Sequence, residues 1–104
     1  MPTAENLNQP KLLTKDHDRK SFNCGVPALN DYLKKYALQN QKKHAARTYV
    51  ATRGNRIVGY YSLAYGSVSL EEAPQSVKSG LPRHPIPVIL LARLAVDSTD
   101  KEAV

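Results

Sequence analysis

The side chains of this sequence that could do chemistry include those of three histidines, one cysteine and six tyrosines, together with a concentration of basic residues. His17 stands between Asp16 and Asp18, which suggests a metal ligand, but no second histidine or cysteine stands at a ligand spacing. We therefore interpret His17 as a solvated loop residue and expect no metal site. Cys24 precedes a predicted helix, where thiolates can be activated, yet no histidine stands near it as a base. A packed structural cysteine is the better interpretation.

The positive charge is confined to one segment. Residues 32–70 contain no Asp or Glu, and the rest of the chain has a balance of −1, so this segment holds the whole excess behind the net charge of +6. Such a segment favours a polyanionic partner, RNA or DNA before membrane, although a solvated lysine face is an equally good reading of charge alone. The basic residues of this segment are Lys34, Lys35, Lys42, Lys43, Arg47, Arg53 and Arg56.

Length and composition limit the class of protein. A chain of 104 residues is one domain at most. Its single cysteine forms no internal disulfide, no apolar run reaches the length of a membrane span, and residues 1–6 lack the pattern of a signal peptide. We expect a cytoplasmic protein without a membrane partner.

The first elements that must position these residues are a short strand over residues 11–14 and an amphipathic helix from about Val26 to the Lys42-Lys43 pair. Pro27 suits the first helical turn, and Ser21 or Asn23 is the expected cap. An apolar stripe recurs at three and four residues, with Leu38 on the solvent side. The members of the stripe are Val26, Leu29, Leu33, Tyr36 and Ala37.

Two strands follow the helix. Residues 47–53 and 56–65 flank Gly54-Asn55, which is a strong signal for a β-hairpin. The second strand is apolar on both faces and is expected to be an inner strand, with Ile57, Tyr61, Leu63 and Tyr65 on one face. Its tyrosines suit core packing better than a platform for stacked bases.

The last apolar run spans residues 88–96, after a proline-rich loop over residues 71–87. Eight of its nine residues are apolar, which predicts a strand buried on both faces in the middle of a sheet. Only eight residues follow Val96 in this sequence.

Taken in order, these segments resemble GNAT-superfamily acetyltransferases of the toxin–antitoxin type over residues 11–97. The order and spacing of the motifs carry the resemblance. They are Leu12-Leu13, FNCG (22–25), LNDYL (29–33), RTYV (47–50), IVGYYSLA (57–64), LPR (81–83), PIP (85–87) and LARLAVD (91–97).

The resemblance implies an α+β fold: the N-terminal portion of a GNAT fold, with a mostly antiparallel sheet of about four strands and one main amphipathic helix. It implies acetyl-CoA as co-substrate, with the pantetheine arm held by main-chain groups of Leu94, Ala95 and Val96. It also implies acetyl transfer to the α-amine of aminoacyl-tRNA, which blocks translation, and a ribbon-helix-helix antitoxin as partner. The basic residues expected to contact the nucleic acid are Lys35, Lys42, Lys43, Arg47, Arg53 and Arg56.

The sequence departs from the family after Val96. The family continues into a glycine-rich loop whose backbone N–H groups hold the pyrophosphate, whereas residues 98–104 contain no glycine and two acids. The general-acid tyrosine of the toxin branch would lie beyond Val104, so we assign no catalytic residue. The resulting expectation is a flexible arm (1–10), a partial GNAT domain (11–97) and a truncated tail (98–104).

Two alternatives to a toxin enzyme remain open. The chain could be a non-catalytic basic module that binds tRNA or an antitoxin. It could also be a truncated remnant without function, whose uncovered apolar strand would favour aggregation or a homodimer.

Overall fold

A computed structural model describes residues 6–68 and 86–103. The chain forms a four-stranded antiparallel sheet in the order β1-β2-β3-β4, with one continuous helical segment between β1 and β2. This confirms the predicted α+β class with about four strands and one main helix. The elements are β1 (Lys11–Leu12), α1 (Pro27–Asp31), a π-helical turn (Tyr32–Tyr36), α2 (Ala37–Lys42), β2 (Ala46–Arg53), β3 (Arg56–Val68), β4 (Ile86–Val96) and a 3₁₀ helix (Ser98–Ala103). The predicted loop over residues 71–87 lies outside the described residues, except for its last two, which open β4.

The β2–β3 hairpin forms as predicted, because Gly54 supplies the positive φ of 60° that its tight turn requires. The register slips between Ala51 and Thr52, so that Thr52 pairs with Ile57 and Val58 becomes an extra residue in β3. This bulge puts Ile57 on the same face as Tyr60. The predicted grouping of Ile57 with Tyr61 is therefore wrong, since strict alternation takes no account of a bulge.

The helical segment begins at Pro27 and ends at Lys42, in agreement with the sequence, but its middle turn is π-helical. The Ala37 N–H donates to the Tyr32 carbonyl, five residues back. The wider turn shifts the buried stripe. The prediction is wrong for Val26 and Tyr36, which are exposed, and for Leu38, which packs against the core.

The loop before the helix is closed by Asn30 rather than by a side-chain cap from Ser21 or Asn23. The Cys24 N–H donates to Asn30 Oδ1 at 2.9 Å, and Asn30 Nδ2 donates to Asn23 Oδ1 at 3.0 Å. Gly25 completes the turn at φ 89°. Cys24 itself is buried and belongs to the core, as predicted for a packed cysteine.

One side of the sheet, which we call the covered face, packs against the helical segment. The core lies here, and Phe22 packs edge-to-face on Tyr60 with 5.5 Å between ring centroids. The opposite side, which we call the open face, carries the side chains of Tyr49, Tyr61, Ile89, Leu91 and Leu94, as the strand register places them.

The prediction that residues 88–96 are buried on both faces is wrong among the described residues. β4 is an edge strand, and the exposed fractions of Ile89, Leu91 and Leu94 are 65%, 60% and 63%. Its apolar sequence predicts a covering layer, and the described part of the chain places none on its open face.

Candidate functional site

The end of β4 carries Leu94, Ala95 and Val96, the residues predicted to hold the pantetheine arm. Ala95 is buried on the covered face, opposite Tyr60, while the Leu94 side chain projects from the open face, opposite Tyr61. An apolar cavity of about 140 Å³ lies beside this strand end. Its lining comprises Leu7, Pro10, Tyr49, Ala51, Val58, Gly59, Tyr60, Tyr61, Leu94, Ala95 and Val96.

The outer edge of β4 offers main-chain groups for binding. The Asp97 N–H donates to the Val58 carbonyl at 2.7 Å. In an antiparallel ladder, residues alternate between those that bond the neighbouring strand and those that point away from it. This alternation pairs Ala95 with Tyr60 and directs the N–H and C=O groups of Leu94 and Val96 outward. The described residues contain no further strand on that edge.

The close approach of β3 to β4 at this point depends on Gly59. A Cβ at that position would lie 3.1 Å from the Ala95 carbonyl oxygen, which is tighter than an ordinary contact. Gly59 therefore keeps the two strands together just before β4 ends at Val96.

Asp97 fixes the exit from β4. One of its carboxylate oxygens accepts the Asn23 N–H at 2.9 Å, the other accepts the Thr99 N–H at 2.9 Å, and the Ser98 N–H donates to the Asn23 carbonyl at 2.8 Å. Burial acts to raise the pKa of Asp97, but the hydrogen bonds from Asn23 and Thr99 and the charge of Arg56 outweigh it and lower the pKa. The strand end is thereby joined to the loop before the helix.

A polar cluster on the covered face joins the helical segment to β2 and β3. The Tyr32 hydroxyl and Ser62 Oγ share a hydrogen bond of 3.2 Å, Thr48 donates to Ser62 Oγ at 3.4 Å, and Asn40 donates to Tyr32 at 3.4 Å. The Arg93 guanidinium lies 3.8 Å above the centroid of the Tyr32 ring. The sequence reasoning missed Arg93, although its position two residues before Ala95 places it on the same face.

Tyr32 of this cluster and Tyr60, whose ring stacks beside it with 6.4 Å between centroids, have pKa values shifted in opposite directions. Burial raises the pKa of Tyr60 to about 12, and its hydroxyl donates to the Leu29 carbonyl at 2.7 Å. Burial also acts to raise the pKa of Tyr32, but the hydrogen bonds from Ser62, Asn40 and Thr48 and the charge of Arg93 together lower it. The pKa of Tyr60 is therefore raised and that of its neighbour Tyr32 lowered within the same core.

Five of the six basic residues expected to contact nucleic acid fall into two groups, and the sixth stands apart. Lys42, Lys43 and Arg47 are exposed at the junction of α2 and β2. Arg53 and Arg56 lie at the other end of the hairpin, about 20 Å away at ~3.3 Å per strand residue. Lys35 stands apart on the π-helical turn, 3.8 Å from Asp31.

Arg53 and Arg56 share one carboxylate. Arg56 makes a bidentate pair with Asp100, with N–O distances of 2.7 and 3.2 Å, and Arg53 Nε lies 3.6 Å from Asp100 Oδ1. Two guanidinium groups on one carboxylate leave a net positive charge at this end of the hairpin. The acidic 3₁₀ segment therefore reduces the positive charge there.

The structure supports the interpretation of His17 as a loop residue, because its Nδ1 accepts the Thr14 N–H at 3.0 Å. Within residues 6–68 and 86–103, no cluster of three or more His, Cys, Asp or Glu side chains is arranged to hold a metal ion. None of the helices in this part of the chain is long and apolar enough to cross a membrane.

Comparison with known proteins finds bacterial toxins that are similar to this chain in sequence and in fold. No family model matches the sequence. A tRNA-acetylating toxin of Mycobacterium tuberculosis (strain ATCC 25618 / H37Rv) is 45% identical over 92 residues, which are 88% of this chain and 55% of that protein.

Solved structures of the toxin AtaT share the fold. AtaT complexed with acetyl-methionyl-tRNAfMet has a TM-score of 0.78 and 28% identity, over 92% of this chain and 59% of that one. A mutant of AtaT bound to the C-terminus of the antitoxin AtaR and to acetyl-CoA has a TM-score of 0.70 and 26% identity, over 93% of this chain and 55% of that one. The chain thus spans little more than half the length of the relatives it matches.

Proposed function

We propose that this chain is part of a GNAT-type toxin that transfers an acetyl group from acetyl-CoA to the α-amine of aminoacyl-tRNA and so blocks translation. The proposal is supported by the similarity of the chain to a tRNA-acetylating toxin and to the fold of AtaT. The observation that carries the proposal is the open edge of β4, where main-chain groups of Leu94 and Val96 point outward beside an apolar cavity. A GNAT-type enzyme would use these groups to pair with the pantetheine arm, and Ala95 would hold the strand in register through Tyr60.

The acetyl donor and the acceptor would meet different parts of the chain. The pantetheine arm needs amide partners and an apolar surface, which the end of β4 offers. The acceptor tRNA needs positive charge, which Lys35, Lys42, Lys43, Arg47, Arg53 and Arg56 would supply. No residue of this chain is assigned to the proton transfers, and no metal takes part in the proposed reaction.

The donor half of the proposal is tested by replacing one outward N–H. Leu94→Pro removes an N–H that the ladder leaves free, and proline is tolerated at an outward position of an edge strand. Leu94→Ala is the matched control, since it removes the exposed side chain and keeps the N–H. Isothermal titration should show a larger loss of acetyl-CoA affinity for Leu94→Pro than for Leu94→Ala, which keeps the N–H and removes only part of the cavity lining. Equal affinities for the two variants would contradict the main-chain contact.

The activity is tested with a chimera. Residues 1–97 are joined to the part of the mycobacterial toxin that follows its matching strand, and N-acetylation of aminoacyl-tRNA is followed by mass spectrometry. We expect transfer by the chimera and none by the 104-residue chain alone, because residues 98–104 contain no glycine-rich pyrophosphate loop. A folded chimera that binds acetyl-CoA without acetylating any aminoacyl-tRNA would refute the proposed activity.

Three further features of the proposal concern partners and location. A ribbon-helix-helix antitoxin would hold the enzyme inactive, as the family resemblance implies. A homodimer would cover the exposed apolar residues of β4, and light scattering at increasing protein concentration tests for it. Aminoacyl-tRNA is used in the cytoplasm, so the proposed substrate implies a cytoplasmic site of action.

A second function, binding of tRNA or an antitoxin without chemistry, is favoured by the basic residues alone. It predicts tRNA affinity that falls by orders of magnitude between about 50 and about 200 mM salt, even when no acetyl-CoA is bound. Salt-dependent binding of tRNA together with an inactive chimera would favour this function over the first.

A further inference from the structure

A second cavity lies at the loop between β1 and α1, and it shares no lining residue with the cavity at the end of β4. It has a volume of about 390 Å³, within the ~300–1,000 Å³ typical of ligand sites. Its lining comprises Lys15, His17, Asp18, Arg19, Lys20 and Lys34. Four of these six residues are permanently basic, and one is acidic.

The one acidic residue of this cavity is already engaged within its own loop. The Ser21 hydroxyl donates to Asp18 Oδ2 at 2.6 Å, and the Ser21 N–H donates to Asp18 Oδ1 at 3.3 Å. These bonds, the hydroxyl first, lower the pKa of Asp18 and hold its carboxylate in a turn. The four cations therefore face the cavity with a net excess of three positive charges, which an anion would relieve.

The cavity is held in shape before any ligand arrives. Arg19 Nη1 donates to the Lys34 carbonyl at 3.1 Å, which ties the loop to the π-helical turn. Asn55 Nδ2 donates to the Asp16 carbonyl at 2.7 Å, and the Asp18 N–H donates to the Asn55 carbonyl at 3.0 Å, which tie the loop to the β2–β3 turn. A preorganised basic cavity loses less entropy on binding than free surface lysines do.

The cations that flank the cavity are already paired. Lys35, which follows Lys34 on the π-helical turn, lies 3.8 Å from Asp31, and Arg56, which an isolated bridge joins to Asp18, pairs with Asp100. The excess of positive charge is therefore concentrated in the cavity itself, where one phosphate group would meet it.

We propose that this cavity, lined by Lys15, Arg19, Lys20 and Lys34, binds a phosphate group of an RNA backbone. The Arg19 guanidinium, anchored through Nη1, would turn its remaining N–H groups to the phosphate, and the lysines would supply point charges around it. The inference rests on the proposed function only for the choice of RNA as the polyanion; the cavity and its charge stand on the structure.

The test compares variants that each remove one positive charge. Lys15→Ala and Lys34→Gln alter the cavity, and the Lys34 carbonyl that holds Arg19 remains. Lys11→Ala, on exposed β1 outside the cavity, is the matched control. Fluorescence anisotropy with a labelled RNA hairpin, without acetyl-CoA, is measured from about 50 to about 200 mM salt.

We expect each cavity variant to weaken RNA binding several-fold and to reduce the slope of log K against log salt by about 0.7–0.9, the value for one lost phosphate contact. Lys11→Ala should leave both the affinity and the slope close to those of the parent chain. Cavity variants that behave like Lys11→Ala would overturn the proposal.

The source of the phosphate is settled by amide chemical shifts of residues 15–20. RNA should shift them, and RNA should still bind in the presence of inorganic phosphate or coenzyme A. If inorganic phosphate or coenzyme A shifts them and RNA does not, the cavity is a small-anion site and the proposal falls. Because no step of this test measures acetyl transfer, its result is separate from that of the chimera assay.

Discussion

The covered and open faces belong to the same four strands but are buried very differently. On the covered face, Leu33 of the helical segment is fully buried and the hydroxyls of Tyr32, Thr48 and Ser62 bond one another. On the open face, Leu91 and Leu94 are more than half exposed. The difference shows that apolar sequence predicts a need for burial, whereas burial itself depends on which element packs against the strand.

The contrast also separates stability from proposed binding. The covered face holds the packing that orders the chain, and it fixes β4 through Ala95 and the Asp97 hydrogen bonds. The open face and the outer edge of β4 provide the apolar surface and the main-chain groups for a ligand. Substitutions on the two faces should therefore have effects of different kinds.

Matched leucine truncations should give the largest difference. Leu33→Ala removes a side chain with 0% exposure from the core and should lower the free energy of unfolding by about 2–5 kcal/mol. Leu91→Ala removes one with 60% exposure and should change it by less than about 0.5 kcal/mol. Urea unfolding followed by circular dichroism measures both. Comparable losses for the two variants would mean that the open face is covered in solution.

Local pattern predicted the elements of this fold well. The Gly54-Asn55 turn gave the hairpin, and the spacing of Leu29, Leu33 and Ala37 gave the helix within a residue or two at each end. These signals lie within a few residues of one another, so a single sequence carries them.

The parts that pattern missed depend on backbone irregularity or on distant partners. A π-helical turn shifted the buried stripe away from Tyr36, and a bulge at Val58 changed the face of Ile57. The basic cavity joins residues 15–20 to Lys34, and Asp100 joins Arg53 to Arg56, across separations that neither charge counting nor periodicity reports. For the site, the sequence indicated the strand and the basic segment, but not Arg93 or the loop cavity.

Removal of a buried hydroxyl should give the next largest effect. Ser62→Ala takes away the acceptor of the Thr48 hydroxyl and a partner of Tyr32, so a buried polar group loses its bond. The expected loss is about 1–3 kcal/mol of unfolding free energy. Ser67→Ala, at an exposed position of the same strand, is the control and should change stability by less than about 0.5 kcal/mol. Similar values for both serines would show that the polar cluster contributes nothing to the covered face.

Asp97 should make the junction of β4 with the pre-helix loop sensitive to acid. The hydrogen bonds from Asn23 and Thr99 lower its pKa below the ordinary value of 3.8, so folding favours the ionised carboxylate. Its contribution is complete above that ordinary value and is lost as the pH falls through the lower pKa of the folded chain. Asp97→Asn should therefore be less stable than the parent near neutral pH and approach it in acid. Urea midpoints across this range measure the difference, and a gap that persists below the folded pKa would contradict the role of the charge.

The smallest expected effect lies on the open face, where Tyr49 and Tyr61 stack across β2 and β3 with 5.3 Å between ring centroids and 22° between planes. A cross-strand aromatic pair contributes about 0.2–1 kcal/mol. A double-mutant cycle with Tyr49→Ala and Tyr61→Ala should give a coupling energy in that range, because the two rings contact each other on a face that no other element covers among the described residues. A coupling near zero would mean that the two rings are independent. A coupling of several kcal/mol would require a covering layer over the open face, and the sharp division between the two faces would then no longer hold in solution.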